Sequence, residues 1–131
     1  MPGVDVEELV TNVLLDDAGI IALAGTRIYT DLPPSPQFPL GIVRRVGGTT
    51  DFLGHLDSSR IQFEAWARDK GSARDLAAEM LATALAMSGT FDEGIVTNAS
   101  PLIGLTYIPD QPTGIPRYVF DLTVAVHPIP A

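Results

Sequence analysis

Between Arg60 and Gly89 the chain reads RIQFEAWARDKGSARDLAAEMLATALAMSG, and its polar–apolar pattern changes period halfway along. Ile61, Phe63 and Ala65 alternate with Arg60, Gln62 and Glu64, the two-residue period of a strand with one buried face. Ala73, Leu76, Ala77, Met80, Leu81, Ala84 and Leu85 then recur with the 3.6-residue period of an amphipathic helix. Ser72 is placed to cap that helix, with Asp75 three residues on facing the free N–H groups of its first turn. Gly89 is placed to stop it, since a left-handed C-terminal position costs glycine little. The large residues Leu76, Met80, Leu81 and Leu85 are expected to anchor the core, so Leu81→Asp is expected to prevent folding.

The same patterns organise the rest of the chain. Val6, Leu9, Val10, Val13 and Leu14 form an apolar stripe over a helix from about Asp5 to Leu15, with Asp5 and Glu8 at capping-box spacing. Asp17 caps a short second helix through Ala24, with Ile20, Ile21 and Leu23 as its buried face and Gly25 as its stop. Arg27–Thr30 is a short strand candidate, and the Pro-rich loop DLPPSPQFP follows it. Leu40–Val46 reads as a strand. The connection from Gly47 to Leu56 closes a wide hairpin onto the Arg60 strand. Phe91–Asn98 is ambiguous, Leu102–Ile108 reads as a strand, and Pro109–Pro116 is a turn. Tyr118, Phe120, Leu122, Val124 and Val126 alternate cleanly in a last strand, which makes a second hairpin. The expectation is a single domain over residues 1–131 of α+β class: a mixed, mainly antiparallel sheet of about four or five strands with two main helices packed on one face.

Composition narrows the function classes. The chain has 131 residues, is 46% hydrophobic and carries a net charge of −8, with 16 acidic and 8 basic residues. That size supports one real core, and that sign argues against nucleic-acid binding through a basic face. Without cysteine there are no disulfides or thiolate metal sites. No signal peptide or membrane-length apolar run is visible, and Asn98-Ala99-Ser100 is read as a chance match to a glycosylation acceptor.

Candidate chemistry is sparse. His55 and His127 have no partner at metal-ligand spacing, and no HExxH, G-x-S-x-G or phosphate-loop pattern occurs. Asp16-Asp17 and Asp92-Glu93 are adjacent carboxylates, but both pairs sit at element ends, where capping explains them. No catalytic residue, cofactor site or metal site is expected. Arg44, Arg45, Arg60 and Arg68 are half of the cations. They form either a solvated sheet face paired with Glu64 and Asp69, or a basic strip for an acidic neighbour or for passing DNA. Phe52 and Leu53 are apolar residues in a Gly-rich loop, which either fold back on their own core or mark an interface. Trp66 points away from Phe63, so its burial needs a partner or a further element of the chain. Tryptophan is enriched at interfaces, which makes it a candidate subunit contact.

The succession of elements resembles the tail terminator (tail completion) family of long-tailed bacteriophages. The resemblance is carried by ELVTNVLLDD, then IIALAGTRIYTDLPP, then FPLGIVRRV, RIQFEAWARD and SARDLAAEMLATALA, over roughly Val4 to Ser88, and the C-terminal hairpin agrees in type. It implies a structural virion protein of the tail neck, not an enzyme, assembled in the host cytoplasm. Family members form a ring, usually of six copies, on the head-proximal end of the tail tube; the ring stops tube growth and offers a surface to head–tail connector proteins. The implied partners are further copies of the chain, the tail tube protein and the connectors. DNA passes through the lumen without specific binding, and no membrane is involved. The alternative is another neck subunit: a head–tail connector, adaptor or stopper. Rings close through two different patches on each subunit. An acidic lumen would keep DNA from adhering.

Overall fold

A computed structural model describes residues 4–50 and 56–130. Two helices open the chain. α1 (Val6–Leu15) starts where the Asp5 carboxylate accepts the Glu8 N–H at 3.0 Å, and Glu7 and Glu8 favour its positive end. α2 (Ala18–Ala24) starts where Asp17 accepts the Ile20 N–H at 2.9 Å, and it ends at Gly25. Only Ile20 of its three large residues is buried. Ile21 and Leu23 stay exposed, because a helix of two turns meets its neighbours along one line only.

Six strands follow: β1 (Ile28–Tyr29), β2 (Leu40–Thr50), β3 (Asp57–Trp66), β4 (Gly89–Thr90), β5 (Ile95–Tyr107) and β6 (Arg117–His127), with α3 (Lys70–Leu85) between β3 and β4. They form one sheet in the order β1-β2-β3-β6-β5-β4. Only β1 and β2 are parallel; the other pairs are antiparallel. The sheet thus has one strand more than expected. That strand is β4, two residues that carry no periodic signal. Both expected hairpins are present, and β3 and β6 pair at the centre. The first is longer than expected, because β2 runs on to Thr50 through a bulge after Arg45.

All three helices cover one face. Val43, Phe63 and Phe120 lie in register across β2, β3 and β6, and with Ile61, Leu122 and Val124 they meet α1 and α3 in one buried cluster. α3 lies close because its buried stripe is narrow and small: Ala73, Leu76, Ala77, Met80 and Ala84. A Cβ on Gly41 would stand 2.9 Å from Ile28 Cδ1 and 3.0 Å from Met80 Cε, so this glycine is what lets β2 pass beneath α3.

The ends of α3 differ from the expectation. Its cap is Asp69, whose carboxylate accepts both the Ser72 N–H at 2.8 Å and the Ser72 hydroxyl at 2.9 Å. It ends at Leu85 with Ala86 as the cap, while Gly89, at φ 96°, belongs to β4. Leu81 is half-buried and Leu85 exposed; Met87, just past the helix, is buried instead. Leu81 can therefore turn a polar group to water. Leu81→Asp is expected to cost about 1–3 kcal/mol and leave the chain folded, to be checked by circular dichroism melting.

Candidate functional site

The opposite face of the sheet holds a second, smaller apolar cluster and a ladder of charges. Leu40, Ile42 and Trp66 are buried there beneath Tyr29, Phe38 and Ile115. The Phe38 and Trp66 rings lie 6.4 Å apart, 22° from parallel. The Pro-rich loop and the turn before β6 thus supply the further element that Trp66 needed, and only 5% of it stays exposed.

Glu64 stands beside this cluster and is nearly buried. Its carboxylate accepts from Arg44 Nη1 and from the Trp66 indole N–H, each at 2.9 Å, and Arg117 Nη1 approaches to 3.6 Å. Arg44 also reaches Asp31 at 3.4 Å. Further along, Nε and Nη2 of Arg60 both stand 2.7 Å from Oδ2 of Asp121, which is 1% exposed. These are charge-assisted bonds with their acceptors out of water, a rigid arrangement.

The four sequence-singled arginines therefore do not lie in one row. Arg44 and Arg60 share the face away from the helices. Arg45 lies opposite Ile61 on the helix face, pairs with Asp57, and donates its backbone N–H to Glu7 of α1 at 2.8 Å. Arg68 lies beyond β3, its guanidinium 5.6 Å from the centre of the Phe38 ring. Glu64 is the expected partner, whereas Asp69 caps α3. Phe52, Leu53 and His55 fall outside the described residues. Among the described residues, no cluster of His, Asp and Glu could hold a metal ion, and no helix is long and apolar enough to cross a membrane.

Sequence reasoning missed the most exposed apolar surface. On β5 and just past it, Leu102 is 50% exposed and Ile103, Tyr107 and Ile108 are also open. β5 pairs with β6 on one side and with β4 only at its first two residues on the other, so most of its outer edge has no described partner. Pro101 and three breaks in register make that edge a poor template for another strand. What it offers is side chains. The sequence signal was the run PLIGLTYI, too apolar throughout for an edge strand that buries one face.

A carboxylate pair joins α2 to α3. Glu79 is raised above its ordinary pKa, first by its hydrogen bond with Asp17, then by burial and by the Asp17 charge. For Asp17, burial opposes ionisation but is outweighed by hydrogen bonds from Ile20, Glu79, Thr83 and Gly19, so its pKa falls. The folded state holds the Glu79 proton more tightly than the unfolded chain. That contribution is complete below the ordinary glutamate range and is lost as pH rises through the folded value. Glu79→Gln keeps an N–H donor for Asp17 and removes the repulsion. It is expected to raise the melting temperature at pH 7.5 and change it little at pH 4. Equal melting temperatures at pH 7.5 would contradict the pairing.

No protein-family model matches the chain, and no curated protein is significantly similar to it in sequence. Solved structures match it in fold. A chain from the virion of a native gene transfer agent (GTA) particle superimposes with a TM-score of 0.70 at 18% identity, over 90% of this chain and 91% of that one. The bacteriophage SPP1 gp17 protein does so with a TM-score of 0.57 at 12% identity, over 93% of this chain and 87% of that one. At these identities the likeness is one of fold.

Proposed function

We propose that this chain is a phage tail terminator: a structural subunit, not an enzyme, of a ring that caps the head-proximal end of a tail tube, ends tube polymerisation and presents a surface to head–tail connector proteins. The observation that carries the reading is the near end-to-end fold match with a virion chain, at a TM-score of 0.70. It agrees with the resemblance read independently from the sequence. The exposed apolar strip around Leu102 and Ile103 supports an assembling role, because lone chains gain nothing by keeping such a strip in water. The net charge of −8 suits a conduit for DNA, since an acidic protein offers phosphates no attraction. Assembly takes place in the host cytoplasm and the product is part of the virion neck.

The test is the solution mass by light scattering over a range of concentrations, followed by addition of purified, growing tail tubes. A closed ring of about six copies, or a smaller species that caps one tube end and arrests growth, is the expected result. Tubes that keep growing would overturn the reading. Binding to head connector proteins without any effect on tubes would favour the adaptor or stopper alternative.

A further inference from the structure

Four of the eight cations, Arg44, Arg45, Arg60 and Arg117, are held in ion pairs within the chain, and Arg27 donates to the Pro39 carbonyl. The other three, Arg68, Lys70 and Arg74, lie together at the start of α3, all exposed and with no ion-pair partner among the described residues. Lys70 stands over the Tyr107 ring, 4.6 Å from its centre. Asp69 caps this helix, but no acidic residue stands in its first turn. Cations there oppose the helix dipole; the Phe38 and Tyr107 rings faced by Arg68 and Lys70 give some return, but Arg74 has neither ring nor carboxylate as a partner among the described residues.

The other end of the molecule has the reverse character. A groove of about 430 Å³ runs between the end of α1 and the β4–β5 connection. Its mainly polar lining sets Val13, Leu15 and Phe91 beside Asn12, Asp16, Asp92 and Glu93. Asn12 Nδ2 donates to the Glu93 carboxylate at 2.7 Å, and among the described residues no cation pairs with Asp16, Asp92 or Glu93. α1 also has no basic residue in its last turn, where its dipole favours one. Carboxylates beside a few half-buried apolar side chains fit the charged head and aliphatic stem of a lysine or arginine. The two regions sit at opposite ends of the sheet. Tyr107 lies in the row of Tyr118, beside Trp66, and the groove lies by the row of Val96, Val126 and Asp57. That is about 30 Å away at strand spacing, so one chain cannot join them.

We infer that the groove's occupant is the Arg68–Lys70–Arg74 end of a second copy of this chain, in a head-to-tail contact. The contact is heterologous, the type that closes rings, and it rests on the ring reading above. Lys70 is the chain's only lysine, which makes the test specific. A mixture of isotope-labelled and unlabelled protein is treated with a carbodiimide, which joins an amine to a carboxylate in direct contact, and bridged peptides are identified by mass spectrometry. Bonds from Lys70 of one copy to Asp92, Glu93 or Asp16 of another are expected. Lys70→Glu with Arg74→Glu, both at exposed sites, is expected to weaken self-association at least tenfold. Adding Asp92→Lys and Glu93→Lys in the same chain restores it.

Rings of unchanged mass whose Lys70 bonds go elsewhere, or that survive the reversal, overturn this contact and leave the ring. Monomers without bridges that still cap tubes also overturn this contact alone. Monomers that ignore tubes remove the ring reading itself.

Discussion

Phe120→Ala is expected to lower the melting temperature by about 10–20 °C without changing the fold. Phe120 is fully buried on β6, and its ring stacks on Phe63 of β3 at 4.6 Å with the planes 4° apart. β3 and β6 are the two central strands, and these rings lie in register where α3 crosses them. Removing such a ring forfeits its transfer free energy and leaves a cavity that neighbours refill only in part, about 3–5 kcal/mol. For a domain of this size each kcal/mol shifts the midpoint by about 3–5 °C. Phe120→Leu keeps most of the volume and is expected to lose about half as much. Calorimetry on the two variants checks this. A loss under about 1 kcal/mol for the alanine variant would mean that the stacked pair is not the centre of the core.

That core was legible in the sequence because it obeys a period. Alternation placed Ile61, Phe63 and Ala65 on one face and Phe120, Leu122 and Val124 on theirs, and the 3.6 period placed Leu76 and Met80. Periodicity failed where an element is too short to show a period, as with β4. It also failed at helix ends, where one hydrogen bond decides the outcome. Asp69 outcompeted Ser72 as the cap because a carboxylate accepts both the N–H and the hydroxyl of Ser72. Leu85 continued the stripe, but it is the last residue of α3 and stays exposed, so burial ends at Ala84. The candidate interface was least legible. Trp66 drew notice as a residue type, yet its cover, Phe38 and Ile115, lies far off in sequence. The three cations without an ion pair among the described residues emerged only once the partners of the other five were known.

Glu64→Ala is expected to cost about 2–4 kcal/mol. Glu64 accepts from the Arg44 guanidinium and the Trp66 indole N–H and forms an ion pair with Arg117 at 3.6 Å. Removing the carboxylate leaves a buried indole donor without an acceptor and two arginines facing each other. Because Arg44 and Arg117 are partly open to solvent and can turn toward water, the loss falls below that for a fully buried pair. Glu64→Gln keeps one acceptor for the indole, so it is expected to lose less than half as much. Equal losses for the two variants would show that packing, not the hydrogen-bonded charge, matters at this position. The consequence extends to the proposed assembly surface. Arg117 stacks on Trp66, and its Nε donates to the Ile108 carbonyl at 2.9 Å, beside the exposed apolar strip of β5. Freed from Glu64, Arg117 loses one of the groups that orient it, and the end of the strip loosens. In Glu64→Ala, amide exchange at Ile108 is therefore expected to quicken more than at Phe63, with tube capping weakened beyond the stability loss. Uniform quickening across both sites would break that link between the buried carboxylate and the surface.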